Sequence, residues 1–141
     1  MSGKPVKRIR KPEKERRFLV GIYLMGWERV DVYVDYDLTG GWIGMEPQEQ
    51  THGLIYIGFN SDNFTWETAV DIFLHETAEY LHVRLRTRFQ RSEAAANSHG
   101  GYFFFFDHEQ FSELCARQGQ IVAAALPDLS RRYKEYLKEK G

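Results

Sequence analysis

The chain has one cysteine, Cys115. That excludes an internal disulfide and suits a reducing, cytoplasmic or otherwise intracellular or virion-associated setting. No apolar run approaches the roughly 20 residues of a membrane span, so no membrane partner is expected. The start of the chain lacks the apolar segment of a secretory signal and is basic instead. No internal repeat is present. Net charge is also nearly absent, at −1 over 141 residues, but this hides an asymmetry. Residues 1–17 hold eight Lys or Arg against Glu13 and Glu15, a local charge of +6. The remainder holds eleven basic and eighteen acidic residues, a charge of −7.

What is present is enough apolar material for a core. Hydrophobic residues make up 43% and aromatic residues 15%, which at this length fits one folded domain. The expected organisation is a flexible basic arm over 1–16, with Pro5 and Pro12 inside it, and a single domain over 17–141. Such an arm suits contact with nucleic acid or another acidic partner. The alternatives are a solubilising tail, a tail docked on its own acidic body, and a packing element in an assembly.

Phe18 to Leu24 is a dense apolar run of strand length. Arg29 to Tyr36 alternates, with Val30, Val32 and Val34 on one face and Asp31, Tyr33 and Asp35 on a solvent-facing side. Gly26-Trp27 between the two reads as a hairpin turn. Asp31, Asp35 and Asp37 lack the Gly and distal Glu of a calcium loop. Thr39-Gly40-Gly41 reads as a turn and Trp42 to Gln50, with Pro47, as a loop. Leu54 to Phe59 reads as a strand, followed by a helix over about 65–87 capped by Asn63 or Thr65. Glu93 to Gly101 reads as a connection, and Tyr102 to Phe106 as a short strand or an apolar wedge. Asp107 is placed to cap a helix ending near Leu126, with Pro127-Asp128 opening a last helix to about Lys138. The fold class is therefore α+β: a small antiparallel or mixed sheet packed on a motif helix, followed by C-terminal helices.

The chemistry concentrates in Asp71-Ile72-Phe73-Leu74-His75-Glu76-Thr77-Ala78-Glu79-Tyr80-Leu81-His82. His75-Glu76 opens like the zinc-hydrolase signature H-E-x-x-H, but Glu79 stands where the second His belongs, giving H-E-x-x-E. Residues four apart on a helix have Cβ atoms about 5–6 Å apart, so His75 and Glu79 can grip one ion. His82 lies about 10.5 Å further along the axis, too far to share it. Asp71, His75, Glu79, His82 and Arg86 form one polar stripe, flanked by Leu74, Ala78, Leu81 and Leu85 on one side and Ile72, Tyr80 and Val83 on the other. That pattern fits a helix buried on most sides and opening onto a cleft. The plainer alternative is a solvated face on which His75 and Glu79 pair.

The order of strands, motif helix, connection and helices resembles the compact zincin metallopeptidases. In those an edge strand lies along the active cleft and pairs with extended substrate, a role that falls here on Leu54 to Phe59. Asp107-His108-Glu109-Gln110-Phe111-Ser112-Glu113-Leu114 is similar to the segment that carries the third His in the SprT-like and WLM groups and their short bacterial relatives. Ala125-Leu126-Pro127-Asp128 with Arg131 and Arg132 is similar to their tail, so the resemblance spans about residues 54–135. It implies His75, Glu79 and His108 as metal ligands, with His99 in Ser98-His99-Gly100-Gly101 and then Asp107 as rivals for the third place. Zn2+ or another divalent metal, manganese or iron included, is the implied cofactor. Glu76 then serves as the base that activates water, and Tyr80 or Tyr102 is a candidate oxyanion partner.

Three functions follow. The first is a metal-dependent peptidase or hydrolase acting on a protein or peptide substrate. The second is a catalytically inactive zincin-like binding or structural protein, for example in a viral or nucleoprotein assembly. The third is an unrelated α+β domain with a polar stripe and no metal.

Overall fold

The computed structural model describes residues 16–45, 52–86, 88–91 and 102–141. The architecture is α+β. Among the described residues six strands and two helices follow one another as β1 (Arg17–Met25), β2 (Glu28–Asp35), β3 (Gly41–Met45), β4 (His52–Gly58), α1 (Trp66–Arg84), β5 (Arg88–Arg91), β6 (Tyr102–Phe105) and α2 (His108–Lys140). The first four strands form one mixed sheet in the order β1-β2-β4-β3. β1 and β2 are antiparallel, β2 and β4 parallel, and β3 and β4 antiparallel. β5 and β6 form a separate antiparallel pair. Of the expected arm, only Arg16 falls among the described residues; its carbonyl accepts from Tyr36 N and its guanidinium pairs with Asp37.

Two apolar stripes close the core. Val30, Val32 and Val34 of β2 and Ile55 and Ile57 of β4 are fully buried on one face of the sheet. α1 lays Ala69, Phe73, Tyr80 and Leu81 against them, and α2 adds Ile121, Ala125, Leu129 and Tyr136. Residues 121, 125, 129 and 136 recur at helical spacing, so one stripe of α2 runs down the sheet. At one end Tyr36, Phe59, Phe64, Tyr133 and Tyr136 pack ring against ring.

Several expectations are corrected. Trp42 to Gln50 is not a loop throughout, because Gly41–Met45 pairs with Gly53–Ile57 as β3. The segment from Leu54 is not the edge strand. As β4 it lies inside the sheet, and β3 holds the edge. The C-terminal region is one 33-residue helix with Pro127 inside it. Asp128 opens no second helix, since its carboxylate is taken by Tyr23 Oη at 2.6 Å and by Arg131. Buried Ala125 and Leu129, on either side of Pro127, anchor the helix across the proline. The polar side of β2 is not open to solvent either. Asp31 is 6% and Asp35 7% exposed. Asp31 accepts from Arg29 and lies 3.2 Å from His52 Nε2, while Asp35 accepts from Arg17 Nε at 3.0 Å.

Other expectations hold. Gly26-Trp27 is the two-residue turn between β1 and β2, with Gly26 at φ +71°. Thr65 caps α1, its hydroxyl accepting from Thr68 N at 3.2 Å. Asp107 caps α2 in a reciprocal box with Gln110. Tyr102–Phe105 is a strand.

Candidate metal centre

α1 is held by its two ends and its middle. Thr65 fixes the start, and Gln110 Nε2 donates to Leu85 O at 3.2 Å beyond the last turn. Midway, Gln118 Nε2 donates to Leu74 O at 3.0 Å and to Thr77 Oγ1 at 2.7 Å. The buried face of the helix is Ala69, Phe73, Glu76, Thr77, Tyr80 and Leu81. The polar stripe therefore lies on the outer side, and its expected apolar flanks are only partly covered: Leu74 is 39% and Val83 57% exposed.

Two of the polar side chains on the buried face, Tyr80 and Glu76, each meet the sheet at a glycine. Tyr80 crosses β4 where Gly53 leaves room, since a Cβ there would collide with its phenol. Its hydroxyl donates to Glu28 at 2.5 Å, and Arg84 pairs with the same carboxylate. Burial, and then the bond to Glu28, push the Tyr80 phenol upward. Tyr80 is thus committed to Glu28 and is not an oxyanion partner. Tyr102 lies in β6.

Glu76 meets β3 at Gly41. A Cβ on Gly41 would stand 2.7 Å from Glu76 Oε2, so only glycine lets the carboxylate tuck against the strand. Glu76 is 5% exposed. Among the described residues it accepts no hydrogen bond, and its nearest partner is His75 Nε2 at 4.0 Å. Burial raises its pKa, the charge of Glu79 adds to this, and His75 opposes it. His75 Nε2 stands 3.1 Å from Glu79 Oε2, with the two side chains 63% and 49% exposed. His75, Glu76 and Glu79 each offer a ligand atom within 4.8 Å of the others, the one such group among the described residues.

The group opens into a cleft of about 420 Å³ lined by Thr39, Gly40, Gly41, Asp71, Ile72, His75, Glu76 and Glu79. One wall is therefore α1 and the other the turn into β3. The sequence reading found the helical wall and missed the strand wall, since Thr39-Gly40-Gly41 reads only as a turn.

The remaining candidates are placed as follows. His108 is exposed at the first residue of α2, and the structure does not bring it into the group with His75 and Glu79. Asp107 is the cap of α2, its carboxylate accepting from Gln110 N. His99 falls outside the described residues. His82 is also outside the group. Its ring lies 5.7 Å from that of Phe106, and burial lowers its pKa against the opposing charge of Glu79.

No protein-family model, curated protein or solved structure matches the chain. The likeness to small zincins therefore rests on the residues of the motif helix and the segment after Asp107. Among the described residues no helix is long and apolar enough to cross a membrane.

Proposed function

We propose that the chain is a metal-dependent hydrolase of minimal zincin type, acting on a protein or peptide substrate. His75 and Glu79 would hold a divalent ion and Glu76 would be the base. The observation that carries this reading is the meeting of His75, Glu76 and Glu79 at one cleft, each with a ligand atom within 4.8 Å of the others.

Two of the three protein ligands of a catalytic zinc are brought together here. His75 Nε2 and Glu79 Oε2 are 3.1 Å apart. Two ligands at ordinary bond lengths on a tetrahedral zinc stand about 3.4 Å apart, so little adjustment is needed. One imidazole and one carboxylate also suit manganese or iron. When bound, the ion lowers the pKa of water and polarises a carbonyl. The chain supplies the rest. Glu76, whose Oε2 lies 4.0 Å from the imidazole, would take a proton from water and pass it to a leaving amine. Gly41 excludes solvent from one side of that carboxylate. The +6 charge of residues 1–17 suits work close to nucleic acid.

A second reading is a binding or structural protein without catalysis. It is favoured by the exposure of His75 and Glu79 and by the position of His108 outside their group. Elemental analysis of purified chain separates the two, together with the Glu76→Gln and His75→Ala variants. A hydrolase carries one metal per chain, loses it in His75→Ala, and in Glu76→Gln keeps the metal while turnover falls by at least about 100-fold. A chain without metal at micromolar concentrations of zinc, manganese and iron is not this hydrolase.

A further inference from the structure

We propose that the open face of the four-stranded sheet binds single-stranded nucleic acid. Bases stack on a row of rings that ends at Trp42, and phosphates meet the cations beside it. The inference uses the face turned away from α1 and α2, so it stands or falls apart from the metal reading.

The strand register lays out that face. Both helices pack on the side that carries Val30, Val32, Val34, Ile55 and Ile57. Side chains alternate along a strand, so residues paired across two strands share a face. Leu19 pairs with Tyr33, Tyr33 with Tyr56, and Tyr56 with Trp42. These four residues form one line across all four strands, on the side away from the helices. The rings of Tyr33 and Tyr56 stack with centroids 5.4 Å apart, and those of Tyr56 and Trp42 lie 5.2 Å apart. Three inter-strand steps give a row about 14 Å long, enough for two or three bases.

Trp42 supplies the open surface. A Cβ on Gly44 would stand 2.8 Å from its indole, so glycine lets the ring lie down along β3. One side of the ring rests on the strand and the other is turned outward, and the residue is 51% exposed. A flat ring held in place in this way accepts any base, because every base has a π face.

Charge gives an independent support. The face carries two carboxylates, Asp31 and Asp35, but cations cover them. Arg17 pairs with Asp35, the side chains 47% and 10% exposed, and Arg29 pairs with Asp31, 53% and 9% exposed. What meets solvent at both points is a guanidinium. Arg17 also lies 4.9 Å from the centre of the Tyr56 ring, beside the aromatic row. It is the last residue of the +6 stretch over 1–17 and the first of β1, so that charge joins the fold at this face. Rings flanked by guanidiniums match a chain of bases and phosphates. A second copy of the face would bring the same cations against them. With both carboxylates covered, the face offers no strong acceptor to a 2′-hydroxyl and does not sort RNA from DNA.

The test uses the full-length chain with a labelled oligothymidylate, an oligouridylate of the same length and a short DNA duplex. Binding is read by fluorescence anisotropy over a range of salt. The two single strands should bind within about threefold of each other and quench tryptophan fluorescence. Trp42→Leu keeps an apolar side chain and loses the flat ring. It should weaken both strands by at least about fivefold and remove most of the quench, while Trp42→Phe stays within about threefold of the parent. Tyr33→Leu, on another strand of the row, should show the same loss. The salt slope should be unchanged in all three variants, since no cation is removed, and so should any duplex binding. Equal single-strand affinity in the parent, Trp42→Leu and Tyr33→Leu overturns the proposal, because the basic residues would then act alone. So does a more than tenfold preference for one sugar, or the absence of single-strand binding at low salt. A chain that dimerises through Trp42 and binds no single strand overturns it in favour of a second copy on this face.

Discussion

Two glutamates are buried between the sheet and α1, and they are treated in opposite ways. Glu28, 3% exposed at the start of β2, receives the Tyr80 hydroxyl and pairs with Arg84. Glu76, 5% exposed and four residues before Tyr80, accepts no hydrogen bond among the described residues and faces a cleft. The first is enclosed, tied to a phenol and a guanidinium inside the fold. The second has oxygens that solvent reaches through the cleft. The contrast separates a carboxylate that holds the helix to the sheet from one open to a guest.

Removing Arg84 should produce the largest effect. Arg84→Ala leaves Glu28 charged, buried and short of its cation, and should cost about 3–5 kcal/mol in urea unfolding. A loss below about 1 kcal/mol would mean that Glu28 is not held as described. Gly41→Ala comes next. The added methyl meets Glu76, so a loss of about 1–3 kcal/mol is expected. The double variant Gly41→Ala with Glu76→Ala should recover much of it, and simple additivity of the two changes would show that strand and carboxylate do not touch.

Asp31 offers a smaller, intermediate case. Burial raises its pKa, but bonds from Arg29 and His52 outweigh this and hold it below the ordinary carboxylate range. A lowered folded-state value gives stability that is present above the unfolded pKa and lost as pH falls through the folded one. Asp31→Asn should therefore cost on the order of 1 kcal/mol at pH 7, with the gap to the parent closing below about pH 4. A gap that is constant with pH would show that the charge contributes nothing. The smallest effect belongs to Glu76→Gln. Its stability without metal should match the parent within about 1 kcal/mol or exceed it, because no internal partner is lost. A large loss would place Glu76 with Glu28 as a fixed part of the fold and remove the contrast.

The sequence made the secondary structure legible where one local rule was enough. Alternation in Arg29 to Tyr36, the glycine turn at Gly26, the Thr65 cap and the Asp107–Gln110 box all appear as expected. It was misleading where a distant contact decided. Thr39-Gly40-Gly41 has the letters of a turn and Pro47 those of a loop after it, yet Gly41 to Met45 form an edge strand that needs only one neighbour and little side-chain bulk. Asp128 looked like a cap because its partner, Tyr23, is 105 residues away. Asp31 and Asp35 looked solvated because the side chains that cover them come from other positions and strands. In the site, the pairing of His75 with Glu79 could be read from spacing alone. The burial of Glu76 under Gly41 could not, since it depends on how β3 lies against α1.

The position of β3 also bears on how firmly the cleft is held. It precedes β4 in the chain but hydrogen-bonds to β4 alone within its sheet. Residues 41–45 thus have one template, β4, and no second neighbour in the sheet to hold them. The cleft wall is therefore the margin of the sheet from which fraying begins. Access for a bulky guest and local melting draw on a single motion, so conditions that loosen this border should also admit larger molecules to Glu76.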